Sequence, residues 1–382
     1  MRLRLGVVGG GLIAQAVHLP NLARLGDRFE VCALADPSER VRERLSARYG
    51  LRPYADWREL VEREELDAVL VCSPHATHAE VVLAALEAGL HVFVEKPLCI
   101  DPADAQRIAD ECAGRRRVVQ VGYMKRFDPG FEALLSDLPG LDGLRYVDVV
   151  TYDPWLAREP FVDVASLIAA DDVPVDERQR IERLQVEQVE AVVGSATEHE
   201  AWVFAHVYLA CLIHDINLVH GVLQALGEPL PARAVTSSSW AAGNAVAGTF
   251  KLSSGAIWNS AWMLLPEVDE FRETAMWYFD DTIVGLEFPA PYVRAAPTRL
   301  LRRRRSDGSY RREDVALHGS SYLDELKHFH DCITDGVPCR TPPEQSIIDL
   351  AALRALYLEE RRARDNEKAQ SATAAVVPTI GS

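Results

Sequence analysis

At 382 residues the chain is too long for one ordinary core, so two domains of unequal character are expected. Hydrophobic residues at 48% and charged residues at 26% exclude a disordered or membrane-embedded chain. A net charge of -16, scattered along the sequence, repels phosphate backbones and anionic lipid, which leaves a small molecule as the expected partner rather than nucleic acid or a membrane.

From residue 1 to residue 122, short β-branched runs alternate with amphipathic helical stretches, the pattern of a parallel sheet covered by helices on both faces. Strands are predicted at Leu3 to Val8, Phe29 to Ala35, Ala68 to Cys72, His91 to Val94 and Val118 to Val121. Ser38 to Tyr49 and His78 to Ala88 read as helices, the second stopped by Gly89. Beyond Gly122 the strands lengthen, at Leu144 to Tyr152, Ala232 to Trp240, Ala245 to Leu252, Ala256 to Met263, Glu273 to Phe279 and Thr282 to Phe288. They imply a large, open, mainly antiparallel sheet in an α+β domain over residues 123 to 363. A long excursion, 153 to 230, interrupts this sheet. Its acidic middle, Asp171 to Val193, has helical spacing with Ile181, Leu184, Gln188 and Val192 on one face. Arg302 to Arg305 reads as a solvated or intersubunit loop between strands. Helices at Ser321 to Thr334 and Glu344 to Arg361 close the fold, and residues 364 to 382 read as a disordered tail. Trp258, Trp262, Trp277 and Phe279 are placed on the open sheet face, where their exposure would be costly, so a homodimer or homotetramer through that sheet is expected.

The seven cysteines form no C-x-x-C pair and read as buried free thiols. The amino terminus runs straight into a strand and a glycine turn with no cleavable apolar segment, so a cytoplasmic location is the default expectation. Ala201 to Ile213, the longest apolar stretch, is too short to span a bilayer. The pairs His75 and His78, and His328 and His330, lack further ligands at convincing spacing, and no metal is expected.

Gly9-Gly10-Gly11-Leu12-Ile13-Ala14 follows a strand and opens a helix, matching G-x-G-x-x-A in the context that gives this turn its meaning. Gly9 permits the tight turn, Gly11 lets the backbone approach a pyrophosphate, and Ala14 allows close helix packing. Asp36 ends the second strand, about twenty residues on, where a carboxylate accepts both ribose hydroxyls and repels a 2′-phosphate. NAD is therefore expected over NADP. Arg40 is the one nearby group that could pair with such a phosphate.

Glu95-Lys96-Pro97 stands at the carboxyl edge of the parallel sheet, where ligands bind in doubly wound folds. Together with the glycine turn, Ser73-Pro74-His75 with His78, and Gly122-Tyr123-Met124-Lys125-Arg126-Phe127, it resembles the Gfo/Idh/MocA oxidoreductases over nearly the whole chain, most of all their inositol dehydrogenase branch. The resemblance implies that Lys96 hydrogen-bonds the reacting oxygen, that Glu95 orients cofactor or lysine, and that the bond before Pro97 is cis. It also implies that Ser73, Pro74 and His75 line the cofactor, with His78 a further candidate there that caps or borders the following helix, and that Met124 and Arg126 reach it from the domain junction. Cys211-Leu212-Ile213-His214-Asp215 looks like the family's second signature, which puts His214 in place as acid/base or substrate ligand. One turn earlier the family has Asp or Asn and this chain has Ala210, leaving nothing on that turn to orient the imidazole. Asp215 is expected to point elsewhere, and His206 could enter the pocket from a further turn back. Asp153, Trp155 and the 199 to 217 helix are candidate substrate lining, and His18 is read as structural. The implied reaction is NAD-dependent hydride transfer at a secondary alcohol or ketone carbon of a sugar, cyclitol or related polyol. Redox-neutral cleavage or epimerisation on tightly bound NAD, and a non-catalytic dinucleotide sensor, are the alternatives.

Overall fold

Two sheets divide the chain in the computed structural model, which describes residues 1–154, 166–293, 296–306 and 308–376. The first holds β1 (Leu3–Val8), β2 (Phe29–Ala35), β3 (Arg52–Tyr54), β4 (Ala68–Val71), β5 (His91–Glu95) and β6 (Val119–Gly122), all parallel, in the order β3-β2-β1-β4-β5-β6. That order reverses between β1 and β4, and the crevice beyond their carboxyl ends is where such sheets bind nucleotides. The strand not expected from sequence is β3, three residues at the solvated edge that include Pro53. Proline is tolerated there because an edge strand has an amide side with no partner to lose.

The second sheet holds β7 (Leu144–Pro154), β8 (Arg233–Trp240), β9 (Ala245–Lys251), β10 (Ile257–Leu265), β11 (Arg272–Phe279), β12 (Thr282–Phe288), β13 (Thr298–Ser306) and β14 (Ser309–Leu317). Their order is β14-β13-β12-β11-β7-β10-β9-β8, antiparallel except where β7 meets β10. Arg302 to Arg305 lie inside β13, not in a loop. Their cross-strand neighbours are Glu313, Arg312, Arg311 and Tyr310 of β14, and Arg302 and Arg304 both reach Asp137. A hairpin at the edge of a sheet tolerates runs of charge that sequence reading assigns to loops.

The four aromatics placed on the open face are inside. Trp258 and Trp277 are fully buried, Trp262 and Phe279 nearly so, and Phe250 stacks on Trp258 at 4.3 Å. Side chains alternate along a strand, so the outward row of β10 is instead Ile257, Asn259, Ala261 and Met263, all half-buried. The correction is one of parity: the aromatic row packs on the helices.

Among the described residues there are eleven α-helices: α1 (Leu19–Arg24), α2 (Glu39–Tyr49), α3 (Trp57–Arg63), α4 (His78–Glu87), α5 (Pro102–Arg115), α6 (Pro129–Leu135), α7 (Val175–Val193), α8 (Glu198–Val203), α9 (Ile213–Leu226), α10 (Ser321–Thr334) and α11 (Pro343–Val376). The last helix runs well past Arg361, into the stretch read from sequence as a tail. A π-helical segment, Phe204–Leu212, joins α8 to α9. Glu198–Leu226 is long and apolar enough to cross a bilayer by length and composition, yet 72% of its most apolar window is buried inside the fold.

Candidate active site

The glycine turn is held by contacts that no larger residue could keep. Gly9 has φ +92°, and a Cβ there would lie 2.6 Å from the Cys72 backbone at the end of β4. A Cβ on Gly10 would strike Val41 of α2 at 2.6 Å, whereas one on Gly11 would meet nothing within 4 Å. The open space at Gly11 is the wall of a cavity of about 1400 Å³ that runs from Asp36 past Lys96 to Glu273. Asp36 is fixed by two backbone amides, Gly10 N–H to Oδ2 at 2.7 Å and Ser38 N–H to Oδ1 at 2.8 Å. Burial raises its pKa against the pull of those amides. A carboxylate so held keeps lone pairs free for ribose hydroxyls. The residues present therefore fit a dinucleotide, which Gly11 would approach at the pyrophosphate and Asp36 would hold at the ribose.

Ser73, Pro74 and His75 follow β4 and line the same cavity. Burial, with help from neighbouring His78 and Lys96, pushes the His75 pKa well down, so its imidazole is neutral. His78 lies between two loops, Nδ1 at 2.7 Å from the Pro97 carbonyl and Nε2 at 2.8 Å from the Ser73 carbonyl. It braces the Lys96-Pro97 turn, whose peptide bond is cis as the resemblance implies.

Glu95 lies buried beneath this turn. His18 Nε2 is 2.6 Å from its Oε1, and the Lys96 amide donates to Oε2 at 3.2 Å. Burial would raise the Glu95 carboxyl, but the His18 hydrogen bond and the charges of His18 and Lys96 bring it below its ordinary value. Glu325 of α10 completes a buried group of three with His18 and Glu95. Burial and the Glu95 charge push Glu325 well up, so it stays protonated.

Lys96 extends into the cavity and its Nζ donates to the Ala210 carbonyl at 2.9 Å. The side chain missing at position 210 is thus partly replaced by backbone, on the π-helical segment before α9. His214, one turn on, lines the cavity with its pKa pushed well down by burial and by the Lys96 and Lys125 ammoniums. Asp215 does not point elsewhere. One residue turns a helix by about 100°, and from there Asp215 still faces the strands that floor the cavity. It accepts from Thr151 of β7 at 3.1 Å and stands 3.5 Å from Lys125 Nζ.

Lys125 also pairs with Glu273 of β11, so one buried ammonium faces two buried carboxylates. Burial alone would lower its pKa, but Glu273 and Asp215 overcome this and hold it raised. Burial and Glu273 push Asp215 up to about 8. Asp153, named from sequence, lines the cavity, accepts from Trp262 Nε1 at 2.6 Å, and is pushed up by burial to about 6. Trp155 lies outside the described residues.

Twelve expected cofactor neighbours line this cavity: Gly9, Gly11, Leu12, Ile13, Asp36, Ser73, Pro74, His75, His78, Glu95, Lys96 and Met124. Gly10 acts through its amide on Asp36. Arg126 is elsewhere, donating to Gln345 Oε1 at 3.2 Å and pressed on Phe131, with a Gly221 Cβ position 2.5 Å from its Cζ. The short 3-10 turn Met124–Phe127 rotates Lys125 into the cavity and Arg126 away from it. His206 lines the cavity with its ring stacked on Trp202 at 5.0 Å. Thr151 and Glu273 were not singled out from sequence, because each is one ordinary residue on a separate element, and Lys125 was named only as a member of the Met124-Lys125-Arg126 stretch.

Residues 3–123 match the family model GFO_IDH_MocA, described as an oxidoreductase family with an NAD-binding Rossmann fold. The chain is 36% identical over 180 residues to inositol 2-dehydrogenase 3 of Saccharopolyspora erythraea, covering 46% of this chain and 52% of that protein. It is 41% identical over 147 residues to the inositol 2-dehydrogenase of Paracoccus denitrificans, covering 37% and 43%. The matched part thus spans about half the length of these curated relatives. The fold is that of UDP-N-acetylglucosamine 3-dehydrogenase from Acidithiobacillus ferrooxidans, with a TM-score of 0.69 at 20% identity over 94% of this chain and 98% of that one. The glycine turn and the Glu95-Lys96-Pro97 loop lie within the matched residues 3–123 and the second sheet agrees with the fold of the solved structure, so the chain is similar to the Gfo/Idh/MocA oxidoreductases through its first domain and to the inositol dehydrogenases over the part they share.

Proposed function

We propose that this protein transfers a hydride between NAD(H) and a secondary alcohol or ketone carbon of a cyclitol, sugar or related polyol. The observation that carries the reading is the position of Lys96, whose ammonium shares one cavity with the neutral His214 imidazole and with Asp36 and the glycine turn. Bound nicotinamide supplies the hydride acceptor or donor. The chain's own residues handle the proton. Lys96 donates a hydrogen bond to the reacting oxygen and favours its alkoxide character. His214, kept neutral by burial and two nearby ammoniums, accepts the proton in oxidation and returns it in reduction. Lys125, Asp215, Glu273 and Asp153 offer both donors and acceptors to the remaining hydroxyls, as a polyol requires. The inositol dehydrogenase names of the relatives support a cyclitol first. Asp36, buried and amide-bound, favours NAD over NADP.

The test is a panel of inositols and sugars followed by NADH absorbance with purified protein. At least one polyol is expected to reduce NAD, and Lys96→Ala is expected to lose on the order of 10³-fold in turnover while still binding NAD. A panel with no response, or a Lys96→Ala variant as fast as the parent, would sink the assignment.

A further inference from the structure

The excursion between β7 and α8 returns to the first domain and fastens there at two places. The Gln15 side chain, one residue past Ala14, holds the Ile168 backbone in both directions, Nε2 donating to the carbonyl at 3.1 Å and Oε1 accepting from the amide at 2.8 Å. The same Nε2 donates to the Gly10 carbonyl at 2.7 Å, so this fastening hangs on the glycine turn itself. Ile168 also packs against the hydrophobic core built around β1 and β2. Four residues on, Asp172 accepts from the Ser38 hydroxyl and from the Arg40 amide, the latter at 2.9 Å. Ser38 is shared: its amide holds Asp36 and its hydroxyl holds Asp172. Between and beside the fastenings, Ala170 and Val173 face the cavity that Gly11, Leu12 and Asp36 line from the other side.

Arg40 is the group that could have drawn a ribose 2′-phosphate, and its guanidinium is paired with Asp171. Both side chains are well exposed, so the pair itself is weak. Its consequence is one of position. The guanidinium is directed to the strap, and at the ribose end of the cleft the carboxylates of Asp36 and Asp172 stand beside Arg42, whose guanidinium is engaged on the Asp36 and Pro37 carbonyls at 3.4 and 3.1 Å. A phosphate carrying nearly two negative charges there meets repulsion with no free cation from Arg40 to offset it.

We propose that Ile168 to Asp172 is a strap across the dinucleotide cleft, and that Asp172, reaching in from the second domain, is a specificity-determining residue that excludes a ribose 2′-phosphate. The proposal rests on the reading of the cleft as an NAD site, and goes beyond it by assigning cofactor choice and cofactor retention to the excursion. Binding measurements without substrate separate the two. Fluorescence titration of the parent with NADH and NADPH is expected to show preference for NADH. If neither binds, the reading of the cleft fails and the strap with it. The double variant Asp171→Asn/Asp172→Asn frees Arg40, and its NADPH affinity is expected to rise by about tenfold or more, the effect of removing like charges near a phosphate at a protein surface. Gln15→Ala removes the other fastening, and stopped-flow displacement is expected to show NADH leaving several-fold faster. If NADH binds but the double variant gains nothing for NADPH, Asp172 does not set cofactor choice. An NADH release rate unchanged by Gln15→Ala overturns the strap.

Discussion

The two ends of the cavity are built by different means. At the dinucleotide end the shaping groups are mostly backbone: amides of Gly10 and Ser38 on Asp36, a positive φ at Gly9, open space at Gly11. All of this comes from two short stretches, residues 9 to 11 and 36 to 38, at a recognisable separation, so spacing alone announces it. At the reacting end the groups are side chains gathered from separate elements, with Lys125 and Glu273 148 residues apart in sequence and Thr151 and Asp215 64 apart. No local pattern joins them. A site made of backbone geometry leaves a signature in sequence, and a site made of converging side chains leaves one only after the chain has folded.

The largest effect that can test this contrast lies at Lys125. Its ammonium neutralises Glu273 where water is excluded, with Asp215 3.5 Å away, so Lys125→Met strands a buried carboxylate. Breaking a buried pair in this way costs about 3–5 kcal/mol, and urea unfolding is the measurement. A loss below about 1 kcal/mol, the worth of an exposed pair, would mean that water already reaches these charges and that the reacting end is no more buried than a surface.

Much of the fold was legible. The strands of the first sheet, apart from β3, follow from short β-branched runs between helical stretches and six of the second from alternation, and Lys96, His214 and Asp36 stand in one cavity as their motifs imply. What failed did so for identifiable reasons. The tryptophans of β10 and β11 were given the wrong face because alternation defines two rows without saying which one is inside. The arginines of β13 were taken for a loop because charge was weighed above strand pairing. Arg126 was given to the cofactor because Met124, Lys125 and Arg126 adjoin in sequence, although the 3-10 turn sends them in different directions. A middle-sized effect tests this last point. Arg126 is buried enough to bring its pKa down to about 10, and it holds α9 and Gln345 together. Arg126→Met is expected to cost about 1–3 kcal/mol of stability with NAD affinity unchanged. A large loss of NAD affinity at undiminished stability would restore the cofactor role and join Arg126 to the dinucleotide end.

The smallest effect concerns how the reacting end is charged. Burial and the neighbouring Glu273 push Asp215 up to about 8, while Glu273 takes the closer place on the shared ammonium. Between the ordinary carboxyl range and about pH 8, the unfolded chain has released this proton and the native chain has kept it. Each step upward in pH therefore favours unfolding, with a slope of at most about 1.4 kcal/mol per pH unit for one group. Asp215→Asn keeps the shape and cannot ionise, so the stability of the parent relative to this variant should fall as pH rises through that window and level off above it. Unfolding curves at several pH values between 5 and 9 would show the trend. A difference that stays flat would mean that Asp215 is ionised throughout, held by Lys125 and Thr151. The reacting end would then be a fixed ion pair network, as rigidly set as the amides that hold Asp36, and the contrast between the two ends would be one of sequence origin alone.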